Sequence, residues 1–224
     1  MKLDKSKWHV KKLSDCCNIL DNFRKPISAT EREKRIKDKD INQLYPYYGA
    51  TGQVGWIDDY LIDDEFVLIG EDGAPFFDKS KDIAYFIKGK AWVNNHAHIL
   101  KAKINISNNF YILYYLNSFN DFGKYVNGTT RLKLNKGQLE KIPVKIPPLA
   151  EQNQIAELFQ SIDTAIEQAE TQENNLKILQ VKLCDGLTSE KPEFGKLLNT
   201  KNWMPNIFDD FVDSFIKKFE TLKN

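Results

Sequence analysis

The run Pro143-Val144-Lys145-Ile146-Pro147-Pro148-Leu149-Ala150-Glu151-Gln152, together with the residues from Asn153 to Gly186, decides the organisation of this chain. Ile155, Ile162, Ala169, Leu176 and Leu183 recur every seven residues, and Leu158, Ala165, Gln172 and Leu179 fall three after each of the first four. This is an a/d seam held for about four heptads, the pattern of a helix that packs lengthwise on another helix. Pro147-Pro148 ends the strand expected over Lys141–Ile146, and Pro148 suits a first helical turn, where its missing N–H removes no bond. No Gly or Pro interrupts Leu149–Cys184, and Gly186 stands where a helix C-terminus favours a left-handed residue. At 1.5 Å per residue such a helix is roughly 55 Å long. A single amphipathic helix lying on its own domain is the plainer alternative. The great length and the 3.5-residue period speak instead for a helix–helix seam. Gln172 at a d position supplies one polar layer able to set register, and Ala165 and Ala169 make the seam narrow.

Upstream of the seam the pattern is that of a globular α+β domain. Residues 28–40 are charged and almost without apolar side chains, which reads as an exposed loop or short surface helix. Gln53–Ile57, Glu65–Gly70, Ile83–Ile87 and Ala91–Lys101 are short apolar or alternating runs bounded by turn residues, expected as strands of a curved antiparallel or mixed sheet. Asn109–Phe119 is apolar on nearly every side, consistent with a buried helix, and Gly123, Asn127-Gly128 and Asn135-Lys136-Gly137 punctuate a loop-rich segment. The expected division is a domain over 1–147, a long spacer or dimerisation helix over 148–186 and a tail over 187–224. In that tail Trp203, Phe208, Asp210, Val212 and Phe215 stand at the spacing of Trp8, Leu13, Asp15, Cys17 and Leu20, as though a second unit were beginning.

Composition narrows the class. Hydrophobic content of 42% and charged content of 28% belong to an ordinary globular protein. Met1–Lys12 holds no apolar run and no stretch approaches a membrane span, so neither signal peptide nor membrane insertion is expected, and a cytoplasmic location is the corresponding expectation. The three cysteines lack C-x-x-C spacing; Cys16 and Cys17 are adjacent, where a disulfide would be strained, so reduced thiols are expected. Net charge is only +1, yet residues 1–149 hold 24 Lys+Arg against 18 Asp+Glu while 150–224 hold 8 against 13. Residues 101–145 hold eight basic residues and two acidic ones. A local basic face on a nearly neutral chain is what phosphate contact requires. Ordinary solvated lysines would give the same counts.

Several small constellations can carry function. No Gly-rich loop opens a helix, no Asn/Asp-Pro-Pro-Tyr run is present, and no serine, cysteine or histidine sits in a nucleophile motif, which makes an enzyme the minority reading. Tyr45-Pro46-Tyr47-Tyr48-Gly49-Ala50-Thr51-Gly52 is a turn able to touch a DNA sugar, phosphate or base edge, although at least one tyrosine is expected in the core. Asn94-Asn95-His96-Ala97-His98 puts His96 and His98 on one face if it is a strand, but no acid or cysteine lies at ligand spacing, so no metal is expected. Its asparagines can pair with adenine or simply cap a loop. Gly128-Thr129-Thr130-Arg131-Leu132-Lys133, with Lys124 nearby, is the strongest local candidate: Gly allows close approach, the hydroxyls suit phosphate, and Arg131 suits phosphate or a guanine edge. A solvated loop is the alternative. Glu71-Asp72-Gly73-Ala74 reads as a turn rather than a catalytic pair.

Taken in order, Lys7-Trp8 with Leu13-Ser14-Asp15, Pro46-Tyr47-Tyr48-Gly49-Ala50, Glu71-Asp72-Gly73-Ala74, Asn94-Asn95-His96-Ala97-His98, Gly128-Thr129-Thr130-Arg131 with Lys133-Leu134, and Ile146-Pro147-Pro148-Leu149-Ala150-Glu151-Gln152 resemble the specificity subunits of type I restriction–modification systems. The resemblance covers nearly the whole chain. It implies a target-recognition domain followed by a long helix, two such units pairing their helices antiparallel, each domain reading one half of a split DNA site. It implies no catalysis in this chain, and docking to methyltransferase subunits that use S-adenosylmethionine and to restriction subunits that cut DNA. Only one recognition domain and one helix are present, so the resemblance is to a half-length form. A homodimer reading an inverted repeat is then expected, with Ile155, Leu158, Ile162, Ala165, Ala169, Leu176, Leu179 and Leu183 at its interface. DNA contact is expected from Tyr47, Tyr48, Gly49, Ala50, Thr51, Asn94, Asn95, His96, Lys124, Gly128, Thr129, Thr130, Arg131 and Lys133. The alternative from another class is a coiled-coil adaptor or decoy that binds the methyltransferase and reads no DNA.

Overall fold

The computed structural model describes residues 3–188, and the chain divides into two units, Met1–Ile162 and Asp163–Asn224. The elements run β1 (His9–Lys12), α1 (Leu13–Cys16), β2 (Cys17–Ile19), α2 (Ala29–Ile36), β3 (Tyr45–Gly49), β4 (Gly52–Ile57), β5 (Ile62–Gly70), β6 (Ala84–Val93), β7 (Ala97–Ala102), α3 (Asn109–Ser118), α4 (Lys136–Leu139), β8 (Pro143–Ile146) and α5 (Leu149–Thr188). No described helix is long and apolar enough to cross a membrane. The tail repeat read at Trp203–Phe215 lies outside the described residues.

Six strands form one mixed sheet in the order β2-β7-β5-β6-β3-β4, with β3 and β6 parallel, and β1 pairs separately with β8. Central β5 explains its own apolar run, because both of its faces are covered. Val67 and Ile69 enter a core with Leu13, Cys16, Tyr111, Ile112, Leu116, Leu139 and Val144, whereas Phe66 and Leu68 face a second cluster with Ile87, Val93, Ala97 and Ile99. The stretch Ala91–Lys101, expected as one strand, is two. Ala91 pairs with Ile62 at the start of β5 and Ala97 with Gly70 at its end. The six residue steps from Ala91 to Ala97, at about 3.3–3.6 Å each, cannot span a flat nine-residue strand and the width of the sheet, so the sheet has to curl on itself. Asn94 turns the corner, its side-chain oxygen accepting the His96 N–H at 2.7 Å.

The charged segment 28–40 does form a surface helix. Ser28 caps α2 by accepting the Glu31 N–H at 3.2 Å, with Glu31 in the first turn and Lys34 and Arg35 in the last, the order a helix dipole favours. Cys16 and Cys17 are buried free thiols, and burial pushes both up from the ordinary thiol value.

The start of α5 belongs to the first unit, and Gln152 shows how it is held. This side chain is fully buried. Its oxygen accepts the Asn108 N–H at 3.1 Å, and its amide donates to the Ile106 and Pro147 carbonyls at 3.0 and 2.9 Å. Trp8 donates its indole N–H to Glu151 at 3.0 Å, Asn108 donates to Asn153 at 2.9 Å, and Tyr114 stacks on Phe159 with ring centroids 4.9 Å apart. Ile155, expected in the heptad seam, is instead a core residue at 9% exposure, because it packs into the main core cluster rather than facing solvent. Gly186 also departs from expectation, lying within α5 rather than ending it.

In the second unit, α5 from Asp163 onward is exposed through Asp185. Leu176, Leu179 and Leu183 lie on the seam side at 66%, 59% and 41% exposure. Ile178 and Val181, also exposed, fall on the opposite side by the helical period and are no part of the seam.

Candidate nucleic-acid interface

Four segments far apart in the sequence meet around Glu71 and Asp72. The Glu71 N–H donates to the His96 carbonyl at 2.7 Å, and the Glu71 carbonyl accepts the Leu134 N–H at 2.7 Å. The Gly73 N–H donates to the Leu132 carbonyl at 3.0 Å, and Asp72 bridges to Lys133 as a short antiparallel pair. The Gly49–Gly52 turn joins them at Gly70, where an added Cβ would sit 2.6 Å from the Ala50 carbonyl oxygen. Gly128 is required where it stands: its φ is +102° and a Cβ there would lie 2.4 Å from the Arg131 carbonyl oxygen.

The side chains at this junction are mostly ionic. Arg131 gives Nε to Asp72 at 2.6 Å while remaining 63% exposed, and Lys133 pairs with Glu71 at 3.2 Å. His96 lies 3.6 Å from Asp72. Beneath them, Arg24 binds Asp21 at 3.1 Å and Glu71 at 2.5 Å, and His98 binds Asp21 at 2.7 Å. Burial pushes the Asp21 carboxyl up, but the His98 hydrogen bond and charge and the Arg24 charge outweigh it, leaving Asp21 below its ordinary value. Glu71 likewise ends below its ordinary value, burial being overcome by Arg24, His98 and Lys133. Asp21, Glu71 and His98 bring three ligand-type atoms within 4.8 Å of one another. Arg24 already bridges the two carboxylates, so the cluster is an ion-pair network.

Among the residues expected to touch DNA, Thr51, Asn95, Gly128, Thr129, Thr130, Arg131 and Lys133 are exposed, and Tyr48, Ala50 and His96 partly so. Lys124 is exposed beside the loop, paired with Asp121 at 2.8 Å. Three expectations need correction. Tyr47 is a core residue at 4% exposure, its ring packed with Ile57 and Trp92 and covered by Arg32. Gly49 is buried because its carbonyl accepts the Tyr85 hydroxyl and Val54 closes over it. Asn94 is buried at the corner of the sheet, its side-chain oxygen committed to the His96 N–H. The sharing of one strand face by His96 and His98 also fails: His96 sits in the corner and His98 is fully buried. Sequence reading missed Asp21, Arg24, Glu71 and His98 as a unit, since 77 residues separate Asp21 from His98 and 47 separate Arg24 from Glu71, and no local spacing signals it.

A curled sheet that gathers loops into one ionic and hydroxyl-rich junction, and that grips a heptad helix by its first turn, defines a recognition domain carried with its own helical element. The chain belongs to the type I restriction modification DNA specificity domain family, whose pattern matches residues 5–177. It is 34% identical over 160 residues to a putative type I restriction enzyme specificity subunit of Haemophilus influenzae, covering 71% of this chain and 38% of that one. It is 26% identical over 131 residues to the EcoprrI specificity subunit of Escherichia coli, covering 58% and 30%. The chain thus spans well under half the length of these curated relatives. The fold matches a type I restriction–modification S subunit from M. genitalium with a TM-score of 0.66 at 14% identity, over 90% of this chain and 52% of that one.

Proposed function

We propose that this chain reads DNA sequence for a type I restriction–modification complex and performs no chemistry itself. The observation that carries the reading is the meeting of the Ala50 turn, the Glu71–Ala74 segment, the Asn94–His96 corner and the Gly128–Lys133 loop in one place. Arg131, Lys133 and Lys124 supply cations for phosphate or guanine, and Asn95, Thr51, Thr129 and Thr130 supply neutral hydrogen-bonding groups. Two copies pair antiparallel through Leu158, Ile162, Ala165, Ala169, Leu176, Leu179 and Leu183, and the dimer reads an inverted repeat. The exposed apolar residues of that stripe support the pairing. Methyltransferase subunits, holding S-adenosylmethionine, and restriction subunits dock on this scaffold in the cytoplasm.

Co-expression with the neighbouring methyltransferase, followed by mapping of methylated adenines, tests the reading; a methylated inverted repeat is expected, and no sequence preference overturns it. Leu179→Asp is expected to leave domain stability within about 0.5 kcal/mol while converting a dimer to monomer in sedimentation. A sedimentation profile identical to that of the unaltered chain removes the helix-paired dimer.

The adaptor reading has one observation in its favour: Arg131 and Lys133 already face carboxylates. Salt separates the two readings. Direct contact gives affinity for duplex that falls steeply with salt and prefers one sequence, whereas an adaptor shows neither.

A further inference from the structure

His98 is the most buried titratable group beneath the proposed interface, at 0% exposure, and its two ring nitrogens meet oxygen on both sides. Nδ1 lies 2.7 Å from the Asp21 carboxylate, which belongs to the turn Asp21–Phe23. Nε2 lies 2.7 Å from the Leu134 carbonyl and 3.6 Å from the Glu71 carboxylate. A neutral imidazole has one N–H and one lone pair, so it satisfies only one of these contacts. The other would set a lone pair against an oxygen at hydrogen-bond distance, in a fully buried place. A carbonyl oxygen can only accept, and the Asp21 carboxylate, ion-paired with Arg24 at 3.1 Å, accepts too. The charges agree. In the buried part of the cluster Arg24 is one cation against the carboxylates of Asp21 and Glu71, which an imidazolium at His98 would balance, with Lys133 reaching Glu71 from the exposed side.

We infer that His98 is a buried imidazolium whose two N–H groups pin the Leu134 end of the Gly128–Lys133 loop to the Asp21 turn. It is a positioning residue for the proposed contact surface. Its Nε2–H fixes the Leu134 carbonyl while the Leu134 N–H is fixed by Glu71, so the residue that ends the loop is held at both backbone groups. Loss of the imidazolium proton removes one of these ties and leaves a buried carbonyl or carboxylate without its donor. The loop then detaches from its base although every exposed residue on it is unchanged. The role in DNA contact rests on the proposed function above; the protonation state and the tie do not.

The test uses the full chain without DNA. It contains three histidines, so a nitrogen-detected spectrum of the imidazole rings shows three patterns, sorted with His9→Gln and His96→Gln. At neutral pH His98 is expected to show both ring nitrogens protonated, with slowed exchange of its two N–H protons. A spectrum with one unprotonated nitrogen overturns the inference, whatever the protein does with DNA. The second arm follows amide hydrogen exchange at Leu134 and Lys133. As pH is raised until the His98 signature turns neutral, protection there is expected to fall relative to Val67, within the central strand β5. Equal protection across that change also overturns it. His98→Gln, which can present one donor and one acceptor, is expected to weaken duplex binding by about tenfold, the size of one charge-assisted hydrogen bond. If both ring nitrogens are protonated and protection falls, yet duplex binding is absent in every form, the DNA reading fails and the His98 assignment stands.

Discussion

Two buried polar assemblies hold this fold together, and they are built from opposite materials. At the start of α5, Gln152 joins Asn108, Ile106 and Pro147 by three neutral hydrogen bonds. Under the Gly128–Lys133 loop, Asp21, Arg24, Glu71 and His98 form a network of ions. Both link segments more than forty residues apart. A neutral amide has no alternative partner of higher charge, so its bonds are indifferent to salt and to pH. An ionic network exchanges partners whenever a competing charge arrives. The first suits a helix that has to stay fixed to its domain; the second suits the base of the proposed contact surface, where the exposed Arg131 and Lys133 would exchange Asp72 and Glu71 for phosphate.

The largest effect is expected from the neutral clamp. Gln152→Leu keeps approximate volume but strands the Asn108 N–H and the Ile106 and Pro147 carbonyls in a buried site, at about 1–3 kcal/mol for each group left unsatisfied. A loss of about 3 kcal/mol or more in urea unfolding is expected, independent of salt. A loss below about 1 kcal/mol would mean that water replaces the amide and that the clamp carries little.

The sequence showed the heptad helix, the buried α3 and the loop-rich segment after it for a physical reason: each depends on residues close together in the chain. Period and turn chemistry are local properties, and Ser28 capping α2 or Asn94 capping its corner could be read from neighbours alone. Long-range relations stayed hidden. The seam period treats Ile155 and Leu176 alike, yet Ile155 is in the core and Leu176 is exposed, because period says which side is apolar and not what covers it. Tyr47 and Tyr48 looked equivalent in the turn, but strand alternation sends Tyr47 inward beside Trp92 and leaves Tyr48 partly exposed against Tyr85. The His98 network joins an early turn, the end of β5 and the loop after residue 128, and nothing in the spacing of Asp21, Arg24, Glu71 and His98 announces it. The Pro-Pro-Leu-Ala-Glu-Gln run was legible as a helix entry. That its glutamine is the clamp was visible only once Ile106 and Asn108 stood beside it.

A smaller effect tests the exchange of partners. Arg131→Ala is expected to leave stability within about 0.5 kcal/mol, since the Arg131 side chain is itself largely exposed, while weakening duplex binding by roughly 1–3 kcal/mol if the side chain reads a guanine. Fluorescence anisotropy on a methylation-mapped target and on random duplex separates the roles. If affinity for both falls equally, Arg131 touches phosphate only. Asp72→Asn removes the competing carboxylate and is expected to raise affinity for both duplexes, a direction opposite to that of any residue that itself contacts DNA.

The smallest effect is a difference in slope, and it distinguishes the two assemblies most directly. Asp21 and Glu71 sit below their ordinary values of 3.8 and 4.5 in the folded protein. A carboxyl depressed on folding contributes stability that is complete above its unfolded value and disappears as pH falls through the folded one, because the unfolded chain takes up the proton first. Unfolding free energy measured by urea from neutral pH downward is therefore expected to decline across and below the ordinary carboxylate range. Glu71→Gln is expected to flatten that decline by at most about 1.4 kcal/mol per pH unit, the value of one proton. Gln152→Leu, by contrast, lowers the whole curve and leaves its shape unchanged, since no proton is bound at the clamp. Parallel curves for Glu71→Gln and the unaltered chain would show that the charged network contributes nothing that titrates, and the contrast between an ionic junction and a neutral clamp would fail.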